Sequence, residues 1–152
     1  MIRFEYTETI AASPAEIFAV MSDIGRFDEW LTMDGRPTDP GPVRVGSRFD
    51  STGRLGPLPV ELQGTITSFE PGRRFGFRTV KPNALDFEIT VDLEATPDGT
   101  TILKGHGTMR LSRLWRLFEP IMRMELDKGE AAEAARLKAL LEGAPMTVER
   151  PG

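Results

Sequence analysis

Residues 73–111 read RRFGFRTVKPNALDFEITVDLEATPDGTTILKGHGTMRL. Three strand-like runs, 73–80, 85–95 and 100–111, are separated by Lys81-Pro82-Asn83 and Pro97-Asp98-Gly99. Short connections built from turn-forming residues join antiparallel neighbours. Along the middle run Leu85, Phe87, Ile89, Val91 and Leu93 share one parity, while Glu88, Thr90, Asp92 and Glu94 take the other. Side chains alternate across a strand, so one face is apolar and the other meets water. Two earlier runs, 48–55 and 59–69, follow the same logic through Gly56-Pro57 and Pro71-Gly72. Val60, Leu62, Gly64 and Ile66, then Phe75 and Phe77, extend the apolar face. The pattern predicts a five-strand antiparallel meander, and a one-sided sheet requires a cover.

The flanking segments supply an edge and that cover. Residues 2–10 alternate as a further strand, with Ile2, Phe4, Tyr6 and Ile10 on one parity and Glu8 as an acidic exception. Ser13-Pro14-Ala15-Glu16 is a helix start: a capping serine, a proline at the first helical position and a glutamate completing a capping box. Two short helices are expected, about 14–22 and 24–31. Residues 33–47 hold three prolines and three glycines and predict a loop, long enough to act as a lid or mouth. From about 112 to 142 the sequence predicts a long helix. At about 100° per residue, one arc collects Leu111, Trp115, Phe118, Met122, Leu126, Gly129, Leu137 and Leu140. Pro120 starts or kinks it. A single domain over 1–142 is expected, with a frayed tail at 143–152.

Composition removes many chemistries. The chain has 152 residues, no cysteine and one histidine, His106, so disulfides, thiolate sites, cysteine nucleophiles and multi-histidine metal sites are excluded. A net charge of −4 speaks against nucleic acid as the main partner. No apolar run is long enough to span a bilayer, and the opening residues lack the apolar core of a signal peptide, so the cytoplasm is the expected setting. Arginine far outnumbers lysine, a bias associated with GC-rich bacterial genomes. No phosphate-binding glycine motif and no metal-ligand spacing is present, so no cofactor and no metal is expected.

The order of strand, two short helices, meander and long C-terminal helix resembles the START-like (SRPBCC) superfamily, in particular its polyketide cyclase/dehydrase-type branch. The residues carrying the resemblance are Ile10-Ala11-Ala12-Ser13-Pro14-Ala15-Glu16-Ile17-Phe18 with Asp23, Trp30, Val45-Gly46-Ser47, the run from Gly64 to Pro71 with Arg74-Phe75, and Leu137 to Glu142. They span nearly the whole chain, and most are structural, so they specify fold more than activity. The resemblance implies an α+β helix-grip fold of the START/birch-pollen-allergen type. In it a curved antiparallel sheet wraps a long C-terminal helix, with two short helices after the first strand. It also implies an apolar cavity between sheet and helix for a lipid, isoprenoid or polyketide-like molecule. The alternatives are an enzyme of the cyclase, aromatase or dehydratase type, and a chaperone-like or regulatory interaction module.

Candidate ligand-binding residues are Trp30, Leu62, Phe75, Phe77, Phe87, Ile89, Met109, Trp115, Phe118 and Met122, with Met124 as adaptable lining if it points inward. Core packing is the plainer reading of each aromatic. Weak catalytic candidates are His106, Tyr6 and Glu8. The parity of 102–110 turns His106 to solvent if Leu103, Gly105, Gly107 and Met109 face the helix. The two glycines would then leave a hollow. Glu133 and Arg136, three apart, could pair at the helix surface. Arg110, Arg113, Arg116 and Arg123 interleave with Leu, Trp and Phe. That mixture suits transient contact with a membrane surface, although a solvated helix edge is the plainer reading.

Overall fold

In a computed structural model of the chain, which describes residues 1–55 and 58–142, the strands fall close to where alternation puts them. The elements are β1 (Ile2–Ile10), α1 (Pro14–Met21), a 3-10 helix (Ile24–Glu29), β2 (Arg36–Pro37), β3 (Arg48–Leu55), β4 (Leu58–Glu70), β5 (Arg74–Lys81), β6 (Leu85–Ala95), β7 (Thr101–Leu111), a 3-10 turn (Arg116–Phe118) and α2 (Glu119–Leu141). The sheet is antiparallel throughout, in the order β1-β7-β6-β5-β4-β3-β2. The meander closes as expected, and β1 joins it beside β7. The second short helix is 3-10 rather than α, and the 33–47 loop contains the two-residue strand β2. The expected tail at 143–152 lies outside the described residues.

Local chemistry explains the ends of these elements. Ser13 Oγ accepts from the Glu16 N–H at 3.2 Å, and the Glu16 carboxyl accepts from the Ser13 N–H at 3.0 Å, which is the capping box read from the sequence. Gly72, Asn83 and Gly99 adopt positive φ in the turns after β4, β5 and β6, a conformation open to glycine and tolerated by asparagine. A register shift between Ile66 and Ser68 marks a bulge in β4, one source of sheet curvature.

The interior divides into two clusters. The larger is aromatic. Phe27 packs against Trp30, Phe49, Phe75 and Phe77, and Phe18 packs against Phe69 and Phe75, with ring centroids 5.1–6.3 Å apart. Here α1 and the first 3-10 helix plug one end of the sheet. The smaller cluster, Ile2, Leu62, Leu85, Met109, Leu111 and Met122, occupies the other end, with Phe87 and Leu126 touching both.

Side chains fasten α2 across the sheet. The N-terminal ammonium lies 3.5 Å from Glu119, Arg136 donates to the Trp30 carbonyl at 3.1 and 3.2 Å, and Glu142 accepts from the Ala11 N–H at 2.8 Å. Glu133 and Arg136 therefore do not pair with each other. Each reaches across to the segment after the 3-10 helix, because Glu133 sits on the buried face of α2 (5% exposed) while Arg136 lies at its edge.

Candidate functional site: an apolar cavity under the C-terminal helix

Between the two clusters lies a cavity of about 230 Å³. Its sheet wall is Leu62, Phe77, Thr79, Leu85, Phe87, Ile89 and Met109. These residues share a face because β4, β5, β6 and β7 are in register and each contributes alternate positions: Phe77 lies opposite Ile89, Thr79 opposite Phe87, and Phe87 opposite Met109. The helix wall is Met122, Glu125, Leu126, Gly129 and Glu133, spaced three and four apart on one face of α2. Leu31, Thr32, Met33, Gly53 and Arg54 close the third side. Most of the lining is buried, but Thr32, Arg54 and Glu125 are exposed and mark the opening between β3 and α2.

Small residues make this space. Among the described residues, a side-chain carbon added at Gly129 would meet no atom within 4 Å beyond its chain neighbours and its own helix backbone, so the helix leaves room there instead of filling it. The hollow expected at Gly105 and Gly107 is not present. A Cβ at Gly105 would fall 2.2 Å from the Tyr6 ring, and one at Gly107 would fall 2.5 Å from the Phe4 ring. These two aromatics from β1 occupy the volume that the glycines vacate.

Six of the ten expected lining residues border the cavity: Leu62, Phe77, Phe87, Ile89, Met109 and Met122. Trp30 and Phe75 are each 1% exposed and belong to the aromatic plug, so they do not reach it. Trp115 is half-buried and packs on Phe118, while Phe118 is 49% exposed. The physical reason is a break in helical phase. Leu111 ends a strand and residues 116–118 form a 3-10 turn, so the 100° periodicity begins only at Glu119. Met124 likewise points outward, at 61% exposure.

The catalytic candidates all lie away from the cavity wall. His106 is on the polar face of β7, its side chain 56% exposed, with Nε2 3.6 Å from Asp92. Glu8 accepts from the Thr9 N–H at 3.2 Å and lies 3.5 Å from Lys138 Nζ near the far end of α2. The half-buried Tyr6 ring covers Gly105. The polar groups that do border the cavity are Thr32, Arg54, Thr79, Glu125 and Glu133. Glu133 is the best placed. Its Oε2 accepts from the Thr32 N–H at 2.7 Å and from the Thr32 hydroxyl at 2.9 Å. The sequence carried its signal: counted at 100° per residue, position 133 falls about 60° from Phe118, in the middle of the apolar arc. Thr32 had no such signal, because it belongs to an irregular segment.

A curved sheet closed at one end by aromatics, with an apolar cavity beneath a long helix, defines the helix-grip class of the START-like superfamily. The chain belongs to the family described as polyketide cyclase / dehydrase and lipid transport, whose profile matches residues 1–142. No curated protein matches it in sequence. Among solved structures it is similar to protein CV1439 of Chromobacterium violaceum, at 16% identity over 93% of this chain and 99% of that one, with a TM-score of 0.69. It is also similar to the di-domain ARO/CYC protein BexL of the BE-7585A biosynthetic pathway, at 14% identity over 98% of this chain and 48% of that one, TM-score 0.72. Ara h 8.0201 is a third, at 14% identity over 91% and 96%, TM-score 0.66. At these identities the likeness is one of fold.

Proposed function

We propose that the protein binds a small, largely apolar molecule of lipid, isoprenoid or polyketide-like type in the cavity between the sheet and α2. The observation carrying this reading is the cavity of about 230 Å³ itself, walled by Leu62, Phe77, Leu85, Phe87, Ile89, Met109 and Met122 and open at a polar rim. Its size suits a ligand of about ten to twelve carbons, below the usual range for drug-sized pockets. Burying about 250 Å² of such a ligand at ~25 cal/mol per Å² yields about 6 kcal/mol before ordering costs. That alone falls short of micromolar affinity, so polar groups on the wall must contribute.

The family description covers cyclases and dehydrases as well as lipid transport. Binding is the better-supported reading, because His106, Tyr6 and Glu8 do not border the cavity. Native mass spectrometry of the purified protein is expected to show one apolar molecule bound per chain, or to show uptake of added decanol in the same ratio. An empty protein that takes up no ten-carbon probe would sink the reading. Chemical conversion of a bound polyketide would move it to a cyclase or dehydratase.

A ridge beside the opening favours ligand exchange at an anionic bilayer. Leu114, Leu117, Phe118, Ile121 and Met124 are 49–83% exposed, Arg113 and Arg116 are exposed among them, and Glu125 at the rim follows directly. Apolar side chains interleaved with arginines complement acidic headgroups. No helix among the described residues is long and apolar enough to cross a membrane, so such contact would be peripheral. Co-sedimentation with phosphatidylglycerol vesicles is expected, falling at least about fivefold in Leu117→Ser/Phe118→Ser. Equal sedimentation of the variant would remove this contact from the proposal.

A further inference from the structure

We infer that Glu133 selects ligands carrying a hydrogen-bond donor, a hydroxyl or an amine, at one end of an apolar body; this rests on the cavity being a binding site. Three observations carry it. Glu133 is a charged-type side chain only 5% exposed, the buried one of the two glutamates on the helix wall, and it borders the cavity. Its two hydrogen bonds to Thr32 both end on Oε2. Oε1 takes no hydrogen bond among the described residues. Glu133 borders the cavity, so its carboxyl group stands on the wall that a ligand meets.

The chemistry follows from this arrangement. Thr32 fixes the carboxyl group through one oxygen, so the other is held as an acceptor with a set orientation. An acceptor on the wall of a mainly apolar cavity gains most from a donor that arrives already stripped of water, and disfavours a head group offering only acceptors. The rest of the ligand then lies along the sheet wall, where only apolar contact is available except at Thr79.

Isothermal titration of the full chain with decanol, decylamine and decyl methyl ether tests the inference. These probes share an apolar body and differ in the head: neutral donor, cationic donor and acceptor alone. Decanol or decylamine should bind at least about tenfold more tightly than the ether, and whichever donor leads identifies the head as hydroxyl or cation. Glu133→Gln keeps one oxygen for Thr32 and presents an amide N–H₂ to the cavity, so the ranking should collapse or reverse with the fold retained. Thr32→Val, which loosens the tie but leaves Oε1, should keep the ranking. An ether that binds wild type as tightly as decanol, or a ranking unchanged in Glu133→Gln, overturns the inference. If none of the three probes binds, the cavity is not a binding site and both readings fall together.

Discussion

The double substitution Leu62→Trp/Met109→Trp lowers affinity for a ten-carbon ligand at least about 100-fold while thermal stability holds or rises. Leu62 on β4 and Met109 on β7 stand on opposite sides of the cavity wall and are 7% and 8% exposed. In a filled core, larger side chains force strain and cost about 1–3 kcal/mol. Here they meet about 230 Å³ of unfilled space. Filling a void commonly stabilises by about 0.5–2 kcal/mol. Opposite movements of binding and stability separate a ligand site from a packing defect. Calorimetric titration beside a thermal melt reads both. Retained affinity, or a melting temperature well below wild type in both single variants as well, would show that the space is not where the ligand sits.

Gly107→Ala carries the largest expected loss of stability, about 3 kcal/mol or more. Gly107 lies in β7 between β1 and β6, opposite Phe4 and Ile89. A methyl carbon there would fall 2.2 Å from the Glu88 carbonyl oxygen and 2.5 Å from the Phe4 ring. A ring can turn aside, but a carbonyl held in the ladder moves only with its strand. Strain of this kind exceeds the usual cost of overpacking by a methyl group. At about 2–4 °C per kcal/mol for a domain of this size, the melting temperature should drop by about 6–12 °C or more. Gly105→Ala should cost less, because its nearest neighbour is the half-buried Tyr6 side chain. A melt in which the two variants rank the other way would contradict this account.

The strands and turns were legible because alternation and turn chemistry are local. Leu85 through Leu93 alternate without interruption, and Asn83 and Gly99 take positive φ where a turn requires it. The helix was legible as a helix, but its phase was not. Extending one arc back through Phe118 assumed a continuous helix, and the 3-10 turn Arg116–Phe118 breaks it. Periodicity holds only within one uninterrupted element. Phe75 misses the wall for another reason: parity says which face a side chain takes but not which part of that face, and Phe75 packs against Phe18 and Phe27. Trp30 ends the first 3-10 helix and packs on Phe27, within the aromatic plug.

The single histidine and the missing cysteine were fixed by composition, and with them the exclusion of thiolate chemistry and of multi-histidine metal sites. The sequence by itself also determined the sheet, its apolar face and the need for a helix to cover it, since each depends on neighbours within a few residues. Tertiary structure alone decided where the empty space lies. Phe4 and Tyr6 fill the volume over Gly107 and Gly105, while no other described residue fills the space over Gly129. It also decided that Glu133 meets Thr32, 101 positions away along the chain. Voids and long-range hydrogen bonds arise from how elements cross, and the crossing of α2 over the sheet is written in no single stretch of the chain.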